Sequence, residues 1–332
     1  MTPSSSPNTP TLVADVGGTN ARFALAHMAS AAKGAQAHVV LSHIKVLPTK
    51  NYDSLQAAAA AYLKDTPNSK PTVAALAVAG PLTADFFEMT NCPWSFRQST
   101  LADELGMEKV VVLNDFEAIA CALPYLNTEE LHQVGPGEIH SQGNKVVLGP
   151  GTGIGVAALT PVLDGWKPLT SEAGHIGFAP ETDIEHEISK LVQRKYPRVS
   201  IERLVSGQGI STLHGALSAI LGQTPEALSA EEITRRALKD RESICGQTTD
   251  IFCNILGSFA GDLAVSFNAI GGVYLAGGIL PKIESFFLSS NFRTRFENKG
   301  RLSYVKDIPT LMIQEKLPAL IGAAAKINGH FY

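Results

Sequence analysis

The sequence lacks the features that mark several protein classes. Its 332 residues hold four cysteines, Cys92, Cys121, Cys245 and Cys253, and no Cys-x-x-Cys pair. This argues against a disulfide scaffold and the common zinc modules, and fits thiols kept reduced in a cytosol. Charged residues make up 17% of the chain and the formal net charge is −4, so nothing in the balance points to nucleic acid or an acidic membrane. There is no GxxxxGK[ST] phosphate loop and no GxSxG nucleophile elbow. His186-Glu187 does not complete an HExxH pair, and no protein-caged metal is expected. The long uncharged run from Leu263 to Pro281 contains Asn268, Gly271, Gly272, Gly277 and Gly278 and turns strand-like at Val273-Tyr274-Leu275. It reads as the end of a buried helix, a turn and a buried strand, not a membrane span. Residues 1–10 are rich in Ser, Pro and Asn without a positive n-region and read as a disordered tail. No peroxisomal or lipidation signal is read at His330-Phe331-Tyr332.

What is present is a repeat. An apolar strand runs into Asp15-Val16-Gly17-Gly18-Thr19-Asn20 and out through Phe23-Ala24-Leu25. Later, Val146-Val147-Leu148 runs into Gly149-Pro150-Gly151-Thr152-Gly153 and out through Ile154 to Leu159. Each reads as strand, glycine turn, strand. Glycine lets backbone N–H groups approach and converge on a ligand, so the pair suggests a phosphate chain gripped twice. The competing explanation for either turn is a plain hairpin whose glycines supply positive φ. The second turn reads GxGxGxG and leads into a strand, which argues against a dinucleotide-binding fingerprint. A third doublet, Gly277-Gly278, follows the apolar Leu275-Ala276 and suits a flat adenine ring, or is an ordinary strand-to-loop turn.

The pattern places strands near 11–16, 21–27, 39–46, 73–79, 84–89 and 109–113 in the first half, and helices near 52–64, 99–105 and 116–124. A polar segment, Gly135 to Asn144, separates the halves. The second half opens with its hairpin, then reads helical near 183–195, 200–204, 208–220, 230–242 and 247–269, with a strand at 273–276 and an alanine-rich helix at 317–328. The repeated hairpin implies an α/β fold of two domains of related plan, the last helix packing back on the first.

Lys109 to Leu113 delivers Asn114 and Asp115 at a strand's carboxyl end, where open α/β sheets place ligands. Asp115 reads either as a helix N-cap or, with Asn114, as a polyol contact. Ser171-Glu172-Ala173-Gly174-His175 follows the second hairpin. His175 is either a satisfied core histidine or a ligand contact. Glu202 is a solvated residue, a partner of Arg203, or part of the site.

Together these stretches resemble the bacterial-type glucokinase family of the hexokinase/actin/Hsp70 superfamily, from about Thr11 to Gly329. The markers are Ala14 to Arg22, Met89-Thr90-Asn91, Asn114-Asp115-Phe116, Gly151-Thr152-Gly153, Glu172 with His175, Glu202-Arg203 with Ser206-Gly207, and Ala276 to Ile279. The resemblance implies two domains of duplicated ribonuclease-H-like plan with an ATP and sugar cleft between them: 11–134 plus 316–332, and 135–315. It implies ATP with Mg²⁺ as cofactor, the ion carried by the nucleotide and met by Asp15 through water. Ala14, Asp15, Val16, Gly17, Gly18 and Thr19 would form the ATP loop, with Gly151 and Thr152 as the second phosphate contact and Gly277 and Gly278 beside the adenosine. Asn114, Asp115, Glu172, His175 and Glu202 would meet the glucose hydroxyls, with Asn91 near the sugar and Asp115 as general base. A cytoplasmic homodimer is the family expectation.

The chain departs from the family at Ser171 and Ala173, where glycines are usual. The related repressor/kinase group carries a cysteine-rich zinc segment after its histidine; Ile176-Gly177-Phe178-Ala179-Pro180 stands here, which suits a zinc-free member. Another hexose (mannose, fructose or an amino sugar) is the near alternative substrate. A non-catalytic sugar sensor of the same fold is the distant one, disfavoured because only residues 1–10 precede the first strand.

Overall fold

A computed structural model of the chain describes residues 9–29, 38–66, 70–89, 91–329 and 331–332. Residues 1–8 of the expected tail, Thr90 of the Met89-Thr90-Asn91 marker and His330 lie outside the described residues. In chain order come β1 (Thr11–Val16), β2 (Asn20–Ala29), β3 (His38–Pro48), α1 (Leu55–Lys64), β4 (Val73–Val78), β5 (Phe86–Glu88), β6 (Ser95–Arg97), α2 (Leu101–Leu105), β7 (Lys109–Asn114) and α3 (Asp115–Ala122). Then follow β8 (Leu131–Gly135), β9 (Lys145–Pro150), β10 (Ile154–Val162), β11 (Gly165–Ser171), α4 (Asp183–Gln193), α5 (Gly207–Ile220), α6 (Ala230–Ala237) and α7 (Ile244–Ser266). The chain closes with β12 (Val273–Leu275), α8 (Glu284–Leu288), α9 (Phe292–Glu297), β13 (Thr310–Ile313) and α10 (Pro318–Asn328). Two compact units result: Met1–Glu130 with Leu159–Thr170 and Glu315–Tyr332, and Leu131–Ala158 with Ser171–Gln314.

The first unit is built on a sheet of order β3-β2-β1-β4-β7. β1 pairs antiparallel with β2 and parallel with β4, which pairs parallel with β7. Small side chains dominate one face: Ala24, Ala26, Ala75 and Ala77 are all buried. That lets α10 lie close, with Ala319, Leu320, Ala323 and Ala324 in the same cluster as Ala118 of α3. At Gly322 a Cβ would collide with the Ala118 carbonyl, so the crossing of α10 on α3 requires glycine.

A second sheet repeats this order as β11-β10-β9-β12-β13, with β8 added antiparallel on β13. β12 runs parallel to both β9 and β13. In each sheet the strand that opens the glycine hairpin therefore lies beside a parallel strand. Helix α7 is buried on most of its surface, Phe252, Cys253 and Phe259 included. Glu185, 1% exposed, takes a bidentate pair from Arg295 at 2.9 and 3.1 Å, tying α4 to α9. Among the described residues no helix is long and apolar enough to cross a membrane. The uncharged run resolves into the end of α7, a turn and β12.

Several elements differ from the sequence reading. The polar spacer begins inside β8, an edge strand whose Leu131-His132-Gln133-Val134 carries too few apolar residues to announce itself. β11 holds Pro168 and Lys167, tolerable on an edge but poor strand signals. Residues 200–204 form one 3₁₀ turn, and α6 stops at Ala237. We expect Gly322→Ala to cost about 2 kcal/mol or more, the range for an overpacked site with backbone behind it, read as a lowered Tm. An unchanged Tm would mean that α10 is not locked to α3.

Candidate functional site

In the first unit the parallel register brings three strand ends to one sheet edge. Val16 pairs with Val78 and Val78 with Asn114. At a strand spacing of about 4.8 Å, the Asp15 turn and the Asn114-Asp115 pair stand roughly 10 Å apart on that edge. The Asp15 turn is tight: the Gly17 N–H donates to the Asn20 carbonyl at 3.0 Å. Neither Gly17 nor Gly18 has positive φ, so the plain-hairpin explanation fails. Gly18 is needed for closeness, since a Cβ would sit 2.6 Å from that of Asn91. Thr49 latches the turn through its carbonyls, donating from Oγ1 to Gly18 at 2.9 Å and from N–H to Thr19 at 3.0 Å. The Gly18 and Thr19 N–H groups take no acceptor among the described residues. Ala14 and Val16 are buried in β1 and lend only backbone.

Asp15 faces Arg22 across the hairpin at 3.1 Å. Burial lifts its carboxyl above the usual range, and the guanidinium pulls the other way. Asn114, not Asp115, caps α3: its Oδ1 accepts from Phe116 and Glu117 at 3.0 and 3.2 Å. Its Nδ2 donates to the Gly80 carbonyl at 3.1 Å. Asp115 occupies the first helical position, with Oδ1 accepting from the Phe116 N–H at 2.9 Å. A negative charge is favourable in the first turn of a helix. The cap moved by one residue because Asn114 keeps extended dihedrals, φ −63° and ψ 148°.

In the second unit the glycine turn, the Glu172–His175 loop, the Glu202 turn and the Gly277 doublet form one contiguous patch. The Ile176 carbonyl accepts from the Ile201 N–H at 3.0 Å, joining the second pair of loops. Glu202 accepts from the Ile154 N–H at 3.1 Å and fills the space a Cβ on Gly153 would need. Gly277, at φ 89°, folds against the Pro150 carbonyl, and Ala276 donates to Leu148 at 2.8 Å. Thr152, Gly153, Gly277 and Gly278 offer N–H groups with no acceptor among the described residues. Thr152 is exposed.

Within these turns two glycines are required by neither packing nor conformation, as is also true of Gly215 on α5. Gly151 and Gly278 have no positive φ, and no atom lies within 4 Å of where their Cβ would stand.

His175 and Glu172 are 62% and 61% exposed with Nε2 and Oε2 4.0 Å apart, so His175 is not a core histidine. Arg203 stacks on the Tyr196 ring at 4.1 Å, not on Glu202. The sequence reading placed a helix near 208–220 but gave its N-terminus no part in the site. Gly207 donates to the Gly151 carbonyl at 2.8 Å, and Ser206 caps the helix through the Gly209 N–H at 3.0 Å. A helix N-terminus thus abuts the second glycine turn and adds its positive end there. Ser206-Gly207 before an apolar run was the available signal. Arg22 and Thr49, equally unassigned, act by holding the first turn.

Repeated mixed sheets with ligand-ready turns at the ends of their parallel strands define a two-domain α/β protein of the actin/hexokinase plan. The chain belongs to the glucokinase family, whose model matches residues 12–330. It is 41% identical to a glucokinase of Saccharophagus degradans over 320 residues, 96% of this chain and 98% of the relative. A glucokinase of Chromobacterium violaceum is 42% identical over 322 residues, 97% of this chain and 90% of the relative. The crystal structure of a glucokinase from an Antarctic psychrotroph superposes with a TM-score of 0.88 at 39% identity, covering 96% of this chain and 98% of that one. A glucokinase of Balamuthia mandrillaris in complex with glucose shares the fold at 19% identity, with a TM-score of 0.75 over 98% of this chain and 95% of that one.

Proposed function

We propose that this protein transfers the γ-phosphoryl group of ATP to the 6-hydroxyl of glucose, giving glucose 6-phosphate and ADP. The observation that carries the reading is the pair of unexplained glycines, Gly151 and Gly278, set among unpartnered amides. Amides in succession form an anion-binding concavity, and a glycine lets phosphate or a flat base approach the backbone. The first turn supplies the matching amides of Gly18 and Thr19, with Gly17 and the backbone of Ala14 to Val16 behind them.

Phosphoryl transfer asks for positioning and charge neutralisation more than covalent help. Asp115 orients the 6-hydroxyl and accepts its proton as the new O–P bond forms, while the β–γ bridging oxygen leaves with ADP. A carboxylate is a weak base for an alcohol, so the proton moves late. Asn114 holds the strand-to-helix junction and retains one Nδ2 hydrogen for the sugar. Glu172, His175 and the second oxygen of Glu202 read ring hydroxyls, where a mismatched sugar leaves polar groups unpaired.

Mg²⁺, when bound with ATP, neutralises phosphate oxygens. Asp15 suits the ion's water shell, because a carboxylate withdrawn from water gains from added positive charge. Four unpaired thiols, three of them buried, suit a reducing cytoplasm. Val40, Ile44 and Val46 are exposed on the edge strand β3, an edge fit for self-association into the expected homodimer.

Asp115→Asn should fold and lose about 10²-fold or more in kcat, the usual worth of an acid–base group. Near-normal turnover would remove the role. Glu172→Gln should raise the glucose KM about tenfold with a smaller effect on kcat, as for a lost hydrogen bond to a charged group. Unchanged KM and kcat would take Glu172 out of the site. Gly151→Ala should leave Tm within about 1 °C, since its Cβ meets open space, yet raise the ATP KM about tenfold or more. A normal ATP KM would leave Gly151 without a ligand. A panel of glucose, mannose, fructose and glucosamine with ATP checks the sugar, and glucose should give the highest kcat/KM.

A further inference from the structure

The second unit contains a cavity of about 390 Å³ among α5, α6 and α7, lined by none of the residues assigned to ATP or sugar. That volume lies at the small end of ligand sites. His214 of α5 lines it and is 5% exposed, yet its ring has no hydrogen-bond partner among the described residues. Burial lowers the pKa of this ring, Glu226 opposing and Arg236 reinforcing the shift. A neutral imidazole offers one donor and one acceptor.

Lys239 also lines the cavity, exposed and without an ion pair among the described residues. Ile244 and Cys245, the first residues of the 23-residue helix α7, stand at the wall. Ser243 caps that helix through the Gly246 N–H at 3.2 Å, which leaves the Ile244 and Cys245 amides for another acceptor. The acidic wall residues are committed: Glu226 pairs with Arg236 at 3.0 Å, and Asp240 accepts from the Glu242 N–H at 3.0 Å. The uncommitted groups on the wall thus include a cation, two helix-terminal amides and a largely buried imidazole.

We propose that this cavity binds a small hydroxylated metabolite bearing one oxyanion, with the oxyanion at Lys239 and the α7 N-terminus and a hydroxyl on His214. Such a terminus with a lysine beside it favours carboxylate and phosphate alike. The chemistry calls for a skeleton of a few carbons.

The test is calorimetric titration of the purified full chain with glycerol 3-phosphate and, separately, with glycerate. At least one probe should bind with a Kd below about 10 mM. Lys239→Ala should weaken it about tenfold or more, the worth of a charged hydrogen bond, and His214→Gln about threefold or more, that of a neutral one. Lys239→Ala should keep the parent's Tm and glucose-phosphorylating kcat, and Gly151→Ala should bind the probe as the parent does. Binding of one probe alone names the oxyanion. No binding of either, or equal binding by Lys239→Ala and His214→Gln, overturns the proposal. None of these binding readouts depends on the kinase reading.

Discussion

Parallel pairing next to a hairpin is the constraint on which the site depends. β1 must satisfy β2 on one side and β4 on the other, so the chain leaving β1 turns where both ladders end. The same holds for β9, flanked by β10 and β12. Backbone groups that the ladders would have consumed are left over at those ends. At Gly18-Thr19, Thr152-Gly153 and Gly277-Gly278 they are amides with no acceptor among the described residues. Water meets these amides until an anion replaces it, and the anion-binding capacity of each turn is what the sheet geometry leaves over.

The supporting contacts keep those turns in shape without occupying them. Thr49 takes the carbonyl side of the first turn. Glu202 takes the Ile154 amide and Gly207 donates to Gly151, which fixes the second. Packing explains Gly18, Gly153 and Gly277, each of which must let another chain segment approach. Among the turn glycines Gly151 and Gly278 differ, because neither packing nor backbone conformation asks for them. Separating glycines by cause distinguishes a fold requirement from a ligand requirement within a single motif.

Much of this was legible in the sequence. The two hairpins, β4, β7, α7 and α10 carry dense apolar patterning, and the paired glycine turns announced the repeated plan. The order β13-β8 was not legible, because a four-residue strand and a polar edge strand owe their places to neighbours distant in sequence. Asn114 as the cap of α3 was hidden for a different reason: Asn and Asp are equally good caps, and only the dihedrals choose between them. The exposure of His175 and the turn of Arg203 toward Tyr196 are tertiary outcomes that no local pattern encodes. Arg22 and Gly207 stood among the sequence markers, but their parts as latches, like that of Thr49, rest on tertiary contacts.

In the proposed reaction Asp115, at the end of β7 and the start of α3, addresses the hydroxyl that is phosphorylated. A crystal structure of the protein with glucose and a non-hydrolysable ATP analogue tests it most directly. An Asp115 carboxylate oxygen is expected within about 3.2 Å of the glucose 6-hydroxyl. A glucose whose 6-hydroxyl is bound elsewhere, with Asp115 touching no sugar oxygen, would contradict it.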